Sequence, residues 1–280
     1  GPNGAGKSTM LLCVLGLLRG WQGRVEVLGL DARTRQLEIR RRVGFMPESD
    51  AWLPNMNGIR AVSQLGRLGG LPPQEAMRRA HEVLWHVGLG EAVYRDLREY
   101  STGMRQRFKL AQAIVHDPEL LFLDEPLGGM DPQGRDELLD LIRDLAERHG
   151  KHVVWSSHIL PEVQKVADAV VILHQGRFRG SFALEELGVD DTRFLVDVEG
   201  DTDAFLAQLG AHGMKAGERH SLAGGVLGRR RYLVEMSPGS GAGDLLRLGR
   251  QADVLVRRVH PLAEDLEAVF TRILKGEATS

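Results

Sequence analysis

The chain has 280 residues, of which 42% are hydrophobic and 26% charged, and its formal net charge is −2 at pH 7. This length suits one large domain with a smaller one, and the composition is typical of an ordinary globular protein rather than of a disordered chain. The balanced charge gives no overall attraction to nucleic acid or acidic membranes, and the short basic clusters Arg40–Arg42 and Arg229–Arg231 lack interleaved aromatic residues, so we predict no nucleic-acid partner.

The chain opens with a glycine-rich segment, GPNGAGKSTM. In it Gly1, Gly6, Lys7 and Ser8 fit the pattern G-x-x-x-x-G-K-[ST] in full. The glycines let backbone N–H groups form a nest for anionic oxygens, while Lys7 can reach the β- and γ-phosphates and the Ser8 hydroxyl can bind Mg²⁺. The alternative is a glycine-rich turn that fits by chance. Because an apolar, helix-like run follows directly, the pattern favours a nucleoside triphosphate site.

That apolar run, Met10–Leu18, contains Cys13, the single cysteine of the chain. No disulfide within the chain is possible, which suits a reducing compartment. The run is also too short for a membrane span, which needs about 20 residues. These features favour a cytosolic chain.

Short strand patterns recur between helical stretches. Gly23–Leu30 alternates apolar and polar residues, which predicts a half-exposed strand. Denser apolar runs, typical of buried parallel strands, follow at Val43–Pro47, Leu120–Glu125, His152–Ser157 and Ala169–His174. The residues Gln133–His149 predict a helix that stops at Gly150. This alternation predicts an α/β fold with a mainly parallel sheet.

Between Pro54 and Tyr100 the pattern indicates helices only. The segment PPQEAMRRAHEVLWHVGLG places Met77, Ala80, Leu84 and Val87 on one apolar stripe. We therefore predict a helical subdomain inserted into the sheet domain. After about residue 190 strands are predicted at 193–200, 230–236 and 253–259 and helices at 202–209, 243–250 and 263–274, which indicates a small α+β appendage.

Two carboxylates follow the apolar run LLFLD. Asp124 and Glu125 stand at its C-terminal end, the edge at which open α/β sheets bind ligands. There an Asp can hold Mg²⁺ through water, and a Glu can orient or deprotonate an attacking water. The alternative is a carboxylate pair in a surface turn, which the phosphate loop in the same chain disfavours.

A helix start precedes this carboxylate pair. In YSTGMRQRFKLAQAIV, Ser101 can cap a helix that begins near Gly103, leaving backbone N–H groups that point outward. Such an end is an ordinary helix start and also an anion site. Its position, after the helical region and shortly before the carboxylate strand, favours the anion site.

Six ordered segments together resemble those of a known family, the ATP-binding cassette (ABC) ATPases. The segments GPNGAGKST, VGFMPE, YSTGMRQR, LLFLDEP, GGMDP and SSH are similar to the Walker A, Q-loop, signature, Walker B, D-loop and H-loop. MPE, STGMRQR and DLEAVF (Asp265–Phe270) resemble the branch that serves ABC-2-type exporters. The resemblance implies an α/β P-loop NTPase domain of the ABC ATPase type at 1–188, with a helical subdomain at about 54–115. A small α+β accessory domain at 192–280 would follow.

The resemblance also implies roles for individual residues. ATP phosphates would be bound by Gly1, Pro2, Asn3, Gly4, Ala5, Gly6, Lys7, Ser8 and Thr9. Mg²⁺ would be held by Ser8, Glu48 and Asp124. Glu125 would be the general base for water and His158 would contact the γ-phosphate. Without the resemblance, His158 is more simply a surface or hydrogen-bonded structural histidine.

Three further residues are implied to act across a dimer interface. Ser101 and the N–H of Gly103 would contact the γ-phosphate held by a second nucleotide-binding subunit, and Asp131 would link the two sites. The partner copy would make a homodimer or a heterodimer, since each site lacks a donor on the far side of the γ-phosphate.

Three positions depart from the family pattern. Glu48 stands where Gln is commonest and adds a negative charge near the phosphates. Thr102 stands where many members carry Gly, and Leu127–Met130 lacks the usual hydroxyl or amide side chain before Asp131. None of these changes removes a group that the phosphate chemistry requires.

From these observations we predict an ATPase subunit that powers a separate ABC-2-type transmembrane permease, peripherally at the cytoplasmic side of the plasma membrane. The alternatives are a soluble ABC ATPase acting on ribosomes or DNA and a non-hydrolysing regulatory module. A phosphate loop must be anchored at both ends to be preorganised. We therefore expect N-terminal strands to be missing, so that this sequence is a piece of a longer natural protein.

Overall fold

The computed structural model describes residues 1–50, 55–186, 189–200, 202–219, 229–237, 239–263 and 266–275. These residues form two compact units. The first unit comprises Gly1–Ala167 and Val171–Ser181, and the second comprises Asp168–Val170 with the described residues from Phe182 onward.

Helices and strands alternate along most of the first unit. In chain order they are α1 (Lys7–Val14), β1 (Glu26–Val27), β2 (Leu30–Asp31), α2 (Gln36–Arg42), β3 (Val43–Met46), α3 (Gly58–Leu68), α4 (Pro73–His86), α5 (Thr102–Ile114), β4 (Leu120–Asp124), α6 (Pro132–Glu147), β5 (His152–Ser156) and α7 (Leu160–Val166). Two short 3₁₀ helices, Gly90–Tyr94 and Leu97–Glu99, lead into α5.

A parallel sheet lies at the centre of the first unit. It has the order β3-β4-β5, and β4 pairs with β3 on one side and β5 on the other. Successive side chains of a strand point to opposite faces. Leu121 and Leu123 accordingly join the core formed with α3–α6, while Phe122 packs with Leu11 and Ile39 of α1 and α2. Helices thus cover both faces, which confirms the predicted α/β fold with a parallel sheet.

Two strand predictions are wrong, one in its extent and one in its pairing, and both miss the same kind of turn. Gly23–Leu30 does not form one strand, because Leu28 and Gly29 make a turn between β1 and β2, which pair antiparallel. The next strands, β6 (Ala169–His174) and β7 (Arg177–Ala183), pair with each other outside the parallel sheet. In both turns the two central residues have positive φ, the geometry whose twist matches a hairpin.

The helices between β3 and β4 are packed mostly as the sequence predicts. Ala80 and Leu84 on α4 are buried, as is Val87, which directly follows the helix. Met77 is 41% exposed, and Ala76 lies at the buried position instead. The predicted stripe was wrong at that residue because the buried face is centred on Ala76, Ala80, Val83 and Val87, and Met77 lies at its edge.

The second unit is a sheet with helices packed against it. Its elements are β8 (Val189–Glu199), α8 (Thr202–Ala211), β9 (Lys215–Arg219), β10 (Arg229–Glu235), α9 (Ala242–Gln251), β11 (Leu255–Ala263) and α10 (Leu266–Lys275). The strands are antiparallel in the order β11-β8-β10-β9. Val196, Val234, Phe205 and Leu245 meet in its core. The sequence predicted these elements except β9, whose residues lack a regular apolar pattern.

In the part of the chain that the structure describes, no helix combines the length and apolar character needed to cross a bilayer. Asp265, part of the segment DLEAVF, lies outside the described residues, and the remaining residues of that segment belong to α10.

Candidate functional site

The glycine-rich loop leads directly into α1. Gly4 and Gly6 have φ values of 76° and 96°, which side chains rarely tolerate, so the loop needs glycine at both positions. Gly6 caps α1 and, being glycine, makes no side-chain hydrogen bond to the first turn of the helix. The N–H groups at that end therefore remain open to an anion. The buried Ala5 fixes the loop, because its carbonyl accepts a hydrogen bond of 3.1 Å from the N–H of Gly176.

Lys7, the first residue of α1, turns back over the loop. Its Nζ donates hydrogen bonds to the carbonyl oxygens of Gly1 at 2.6 Å and Pro2 at 3.2 Å. The same nitrogen lies 2.9 Å from Oε1 of Glu125, and both side chains are largely buried. The loop is thus joined to the carboxyl end of β4 through one ammonium group.

The carboxyl ends of β4 and β5 bring buried polar side chains together. Asp124 and Ser156 are register partners on the two strands. The Ser156 hydroxyl donates to Oδ1 of Asp124 at 2.6 Å and accepts from the backbone N–H of Glu125 at 2.9 Å. All three residues are less than 9% exposed. This hydroxyl therefore fixes both carboxylate residues at the edge where α/β sheets bind ligands.

Glu125 has an uncommon backbone conformation. Its φ is 46°, in the left-handed region, which costs about 1–3 kcal/mol for a residue with a side chain. One carboxylate oxygen contacts Lys7, and the other accepts a hydrogen bond of 2.9 Å from Nδ1 of His158. A strained backbone that aims a buried carboxylate between two nitrogen donors is typical of a functional site.

Glu48 lies outside this network. Its side chain is exposed and, among the described residues, forms no hydrogen bond or ion pair with Ser8 or Asp124, the other predicted Mg²⁺ ligands. The backbone of this segment is hydrogen-bonded to Lys109 of α5, whose Nζ donates to the carbonyls of Pro47 at 3.1 Å and Glu48 at 2.7 Å. Burial lowers the pKa of Lys109, while the negative charges of Asp50, Glu48 and Asp124 oppose that shift.

The three residues predicted to act across an interface lie at helix starts. Ser101 caps α5 by accepting a hydrogen bond from the N–H of Met104, and Asp131 caps α6 by accepting one from Gly134. Ser101 and Asp131 are exposed, and Gly103 is half-buried.

The two helix starts are close to each other. Thr102 packs against Gly129 so closely that a β-carbon added at Gly129 would lie 3.1 Å from the Thr102 methyl group. The Gln106 amide of α5 also donates to the carbonyl of Gly128 at 2.9 Å. The structure thus brings the α5 start and the segment before Asp131 together on one surface.

Sequence reasoning identified most of this arrangement but missed two residues that organise it. The structure joins Lys7, Asp124, Glu125 and His158 into one network. Ser156 was missed, although it ends a predicted strand beside the carboxylate strand and could have been found from the parallel register. Lys109 gave no signal, because a lysine in a helix is ordinarily expected in solvent.

The oxygen donors present suit the predicted cofactor. A serine hydroxyl and a carboxylate are the hard ligands that Mg²⁺ prefers. Ser8 is half-buried and follows Lys7 directly, and Asp124 is 3% exposed, with its Oδ1 fixed by Ser156. Ser8 and Asp124 therefore fit a bound Mg²⁺, whereas the exposed Glu48 is not brought to them.

Comparison with known proteins gives concordant results. Residues 1–128 match the family described as ABC transporter. An uncharacterized ABC transporter ATP-binding protein of Synechocystis is 36% identical over 85% of this chain and 69% of its own length. The bacitracin transport ATP-binding protein BcrA of Enterococcus faecalis is 29% identical over 99% of this chain and 86% of its own length. The aligned chain spans 60–69% of the Synechocystis protein and of three further such proteins from Bacillus subtilis and Nostoc.

A solved structure shares the fold. It is a dimeric post-hydrolysis state of an ATP-binding cassette bound to ADP and Pi, with a TM-score of 0.60 over 65% of this chain and 82% of that chain, at 22% identity.

Proposed function

The chain belongs to the family of ABC transporter ATP-binding proteins, and on that premise we propose that it binds ATP with Mg²⁺ and hydrolyses it to drive a membrane transporter. The observation that carries this proposal is the position of Glu125, whose carboxylate is fixed between Lys7 and His158 at the carboxyl end of β4. A carboxylate held there suits activation of water beside a bound phosphate.

ATP binding is assigned to the residues Gly1–Thr9. The N–H groups at the start of α1 and of the loop backbone would bind the anionic oxygens of the phosphates, and Lys7 would supply the positive charge. Its ammonium group now contacts two loop carbonyls and Glu125. A γ-phosphate competes for the same ammonium group, so ATP binding frees the Glu125 carboxylate to accept a proton.

Hydrolysis is assigned to Glu125 and His158. Glu125 accepts the proton of the attacking water, and His158, whose Nδ1 donates to Glu125, orients that carboxylate and presents its other nitrogen to the phosphate. Ser8 and Asp124 would hold Mg²⁺, which neutralises charge on the phosphate oxygens. The Ser156 hydroxyl fixes the positions of the Asp124 carboxylate and the Glu125 backbone by bonding to both.

A second nucleotide-binding subunit completes the proposed site. Ser101 and Gly103 lie at the exposed start of α5, and Asp131 lies at the exposed start of α6. A helix N-terminus presented by a second copy supplies N–H donors on the side of the γ-phosphate opposite Lys7. Two copies related by a twofold axis would then share two ATP sites.

The membrane partner is proposed to be a permease of the ABC-2 type, with this chain at the cytoplasmic face of the membrane. Support comes from the resemblance of MPE, STGMRQR and the α10 segment to that branch, and from relatives named for bacitracin transport and linearmycin resistance. A soluble ATPase acting on ribosomes or DNA and a non-hydrolysing module are the rival functions.

Phosphate release from ATP by the purified protein tests the proposal. We expect Mg²⁺-dependent release that Lys7→Ala abolishes, together with loss of ATP binding. Lys215→Ala, which removes an exposed lysine of the second unit, is the matched control and should behave like the parent. ATP binding without hydrolysis in the parent protein would favour the non-hydrolysing module, and copurification with ribosomes instead of a membrane protein would favour the soluble rival.

A further inference from the structure

Three potential metal ligands meet at the ends of two helices, away from the Lys7–Glu125 network. His86 is the last residue of α4, Asp144 lies in the last turn of α6, and His149 follows the end of α6. One ligand atom from each lies within 4.8 Å of the other two. We propose that this His86–Asp144–His149 cluster binds a divalent transition-metal ion, with Zn²⁺ as the best match.

The distances suit a shared ion better than direct hydrogen bonds. Oδ2 of Asp144 lies 3.7 Å from Nε2 of His86 and 3.5 Å from Nε2 of His149. Both separations are too long for a hydrogen bond. Ligand atoms about 2.0–2.2 Å from a tetrahedral Zn²⁺ are themselves separated by roughly 3.4 Å. The two distances from Oδ2 of Asp144 to the histidine nitrogens are therefore already close to the ligand spacing of a zinc site.

His86 supplies an independent indication. Its Nε2 is buried and has no hydrogen-bond partner among the described residues. Buried polar atoms are nearly always paired in native proteins, so an unpaired imidazole nitrogen aimed at a carboxylate and a second imidazole needs an explanation. A metal ion bound by that nitrogen provides one.

The surrounding charges orient the cluster. Nε of Arg148 lies 3.3 Å from Oδ1 of Asp144, which leaves Oδ2 for the histidines. A hydrogen-bonding partner on the other oxygen of a ligating carboxylate orients that ligand toward the metal. The cluster also lies at two helix C-termini, which carry partial negative charge and favour a cation. Lys151, a nearby cation, is paired with Asp117 at 2.8 Å.

Space for further ligands adjoins the cluster. A cavity of about 220 Å³ is lined by His86 and His149 together with Arg79, Glu82 and Asp117. Water molecules in this cavity can complete the coordination left open by three protein ligands.

The position of the cluster predicts what a bound ion would do. α4 belongs to the helices between β3 and β4, whereas α6 follows β4 and packs on the sheet. An ion held by both would crosslink the predicted helical subdomain to the sheet domain. Because the ion binds the folded chain, zinc should also raise the unfolding temperature.

Zinc titration of the purified protein, prepared without a histidine tag and without nucleotide, tests the site. Calorimetry should show one Zn²⁺ per chain. His149→Ala and His86→Ala should weaken the Zn²⁺ affinity by at least about tenfold, because changing even the hydrogen-bonding partner of a metal ligand has an effect of that size. His81→Ala is the matched control, because His81 is an exposed histidine on α4 outside the cluster.

A second readout separates a site from loss of fold. His149 is the more exposed histidine of the cluster, so its alanine variant should keep the circular dichroism of the parent. Zinc should raise the unfolding temperature of the parent and of His81→Ala, but not that of His149→Ala. No stoichiometric binding by the parent, or equal affinity in the parent and both cluster variants, would overturn the proposal.

Discussion

The two groups of residues predicted for the nucleotide site differ in how far their polar contacts are satisfied within one chain. At the sheet edge, Asp124, Glu125 and Ser156 are buried and bonded to one another, with Lys7 attached. At the starts of α5 and α6, Ser101 and Asp131 are exposed, and, among the described residues, each side chain accepts a hydrogen bond only from the first turn of its own helix. We infer that the first group is preorganised by its own fold, and we propose that the second group acquires its role against another molecule.

The largest expected effect is at the sheet edge. Glu125→Gln removes the proposed base while keeping a similar shape, so ATP turnover should fall by about 10²–10⁴-fold, the usual contribution of general base catalysis. ATP binding should persist, as measured by equilibrium binding of a labelled nucleotide. Glu147→Gln, at the exposed end of α6, is the control. Unchanged turnover in Glu125→Gln would remove this carboxylate from the mechanism.

A change at the α5 start tests the other group. Ser101→Arg places a bulky cation where a partner's nucleotide should approach, and we expect turnover to fall by about 10²–10³-fold, the cost of losing preorganised donors. Because Ser101 is exposed but caps α5, the free energy of unfolding of the isolated chain should fall only by the cost of losing a helix cap, about 0.5–2 kcal/mol. Ser181→Arg, at an exposed position of β7, should leave turnover unchanged.

Mixing two inactive variants sharpens this test. A mixed dimer of Ser101→Arg with Lys7→Ala keeps one complete site, formed by the intact loop of one copy and the intact Ser101 of the other. Partial recovery of phosphate release is therefore expected. If Ser101→Arg lowers the free energy of unfolding so far that unfolding explains the lost turnover, Ser101 supports the fold of its own chain. The proposed difference between the two groups would then be wrong.

A smaller effect is expected from the hydroxyl that connects the two carboxylate residues. Ser156→Ala leaves Oδ1 of Asp124 and the N–H of Glu125 without their buried partner, which should lower the free energy of unfolding by about 1–3 kcal/mol. Denaturant titration measures this change. Ser181→Ala, at an exposed position, should change stability by no more than about 0.5 kcal/mol. Equal stability of Ser156→Ala and the parent would show that the hydroxyl does not hold this edge.

The smallest effect concerns His116, which belongs to neither group. Burial lowers the pKa of His116, and its hydrogen bond with the Val43 carbonyl opposes that shift. The unfolded chain therefore binds a proton first as pH falls through the ordinary histidine value of about 6.5, and stability falls with it. Between about pH 7 and pH 5 the free energy of unfolding should decrease less in His116→Asn than in the parent. Parallel pH profiles would contradict this assignment.

Much of the fold could be predicted because its signals are local. β3, β4 and β5 are apolar runs, and Lys7, Asp124 and Glu125 stand in motifs whose spacing predicts their roles. The pairing of β6 was missed because the residues Gln175–Gly176 make a left-handed turn that the apolar run itself does not encode.

Other features depend on contacts between distant parts of the chain. The bridge made by Ser156 follows from strand register, and the burial of Lys109 follows from how α5 packs beneath the segment at Glu48. The cluster of His86 with Asp144 requires two helix ends that are separated by more than fifty residues to converge. A single sequence supplies no period or spacing for such contacts.

The most direct test of the shared site is a crosslink between copies. In a Cys13→Ser, Glu125→Gln background, which removes the single native cysteine and keeps ATP intact, Ser101→Cys and Asn3→Cys place one thiol at the α5 start and one on the exposed loop. Separate preparations carrying one thiol each, with different tags, are mixed and oxidised with or without ATP. We predict a disulfide between the two tagged chains that ATP promotes and Lys7→Ala prevents. A disulfide yield that is the same with and without ATP, or no disulfide between chains, would contradict the shared site.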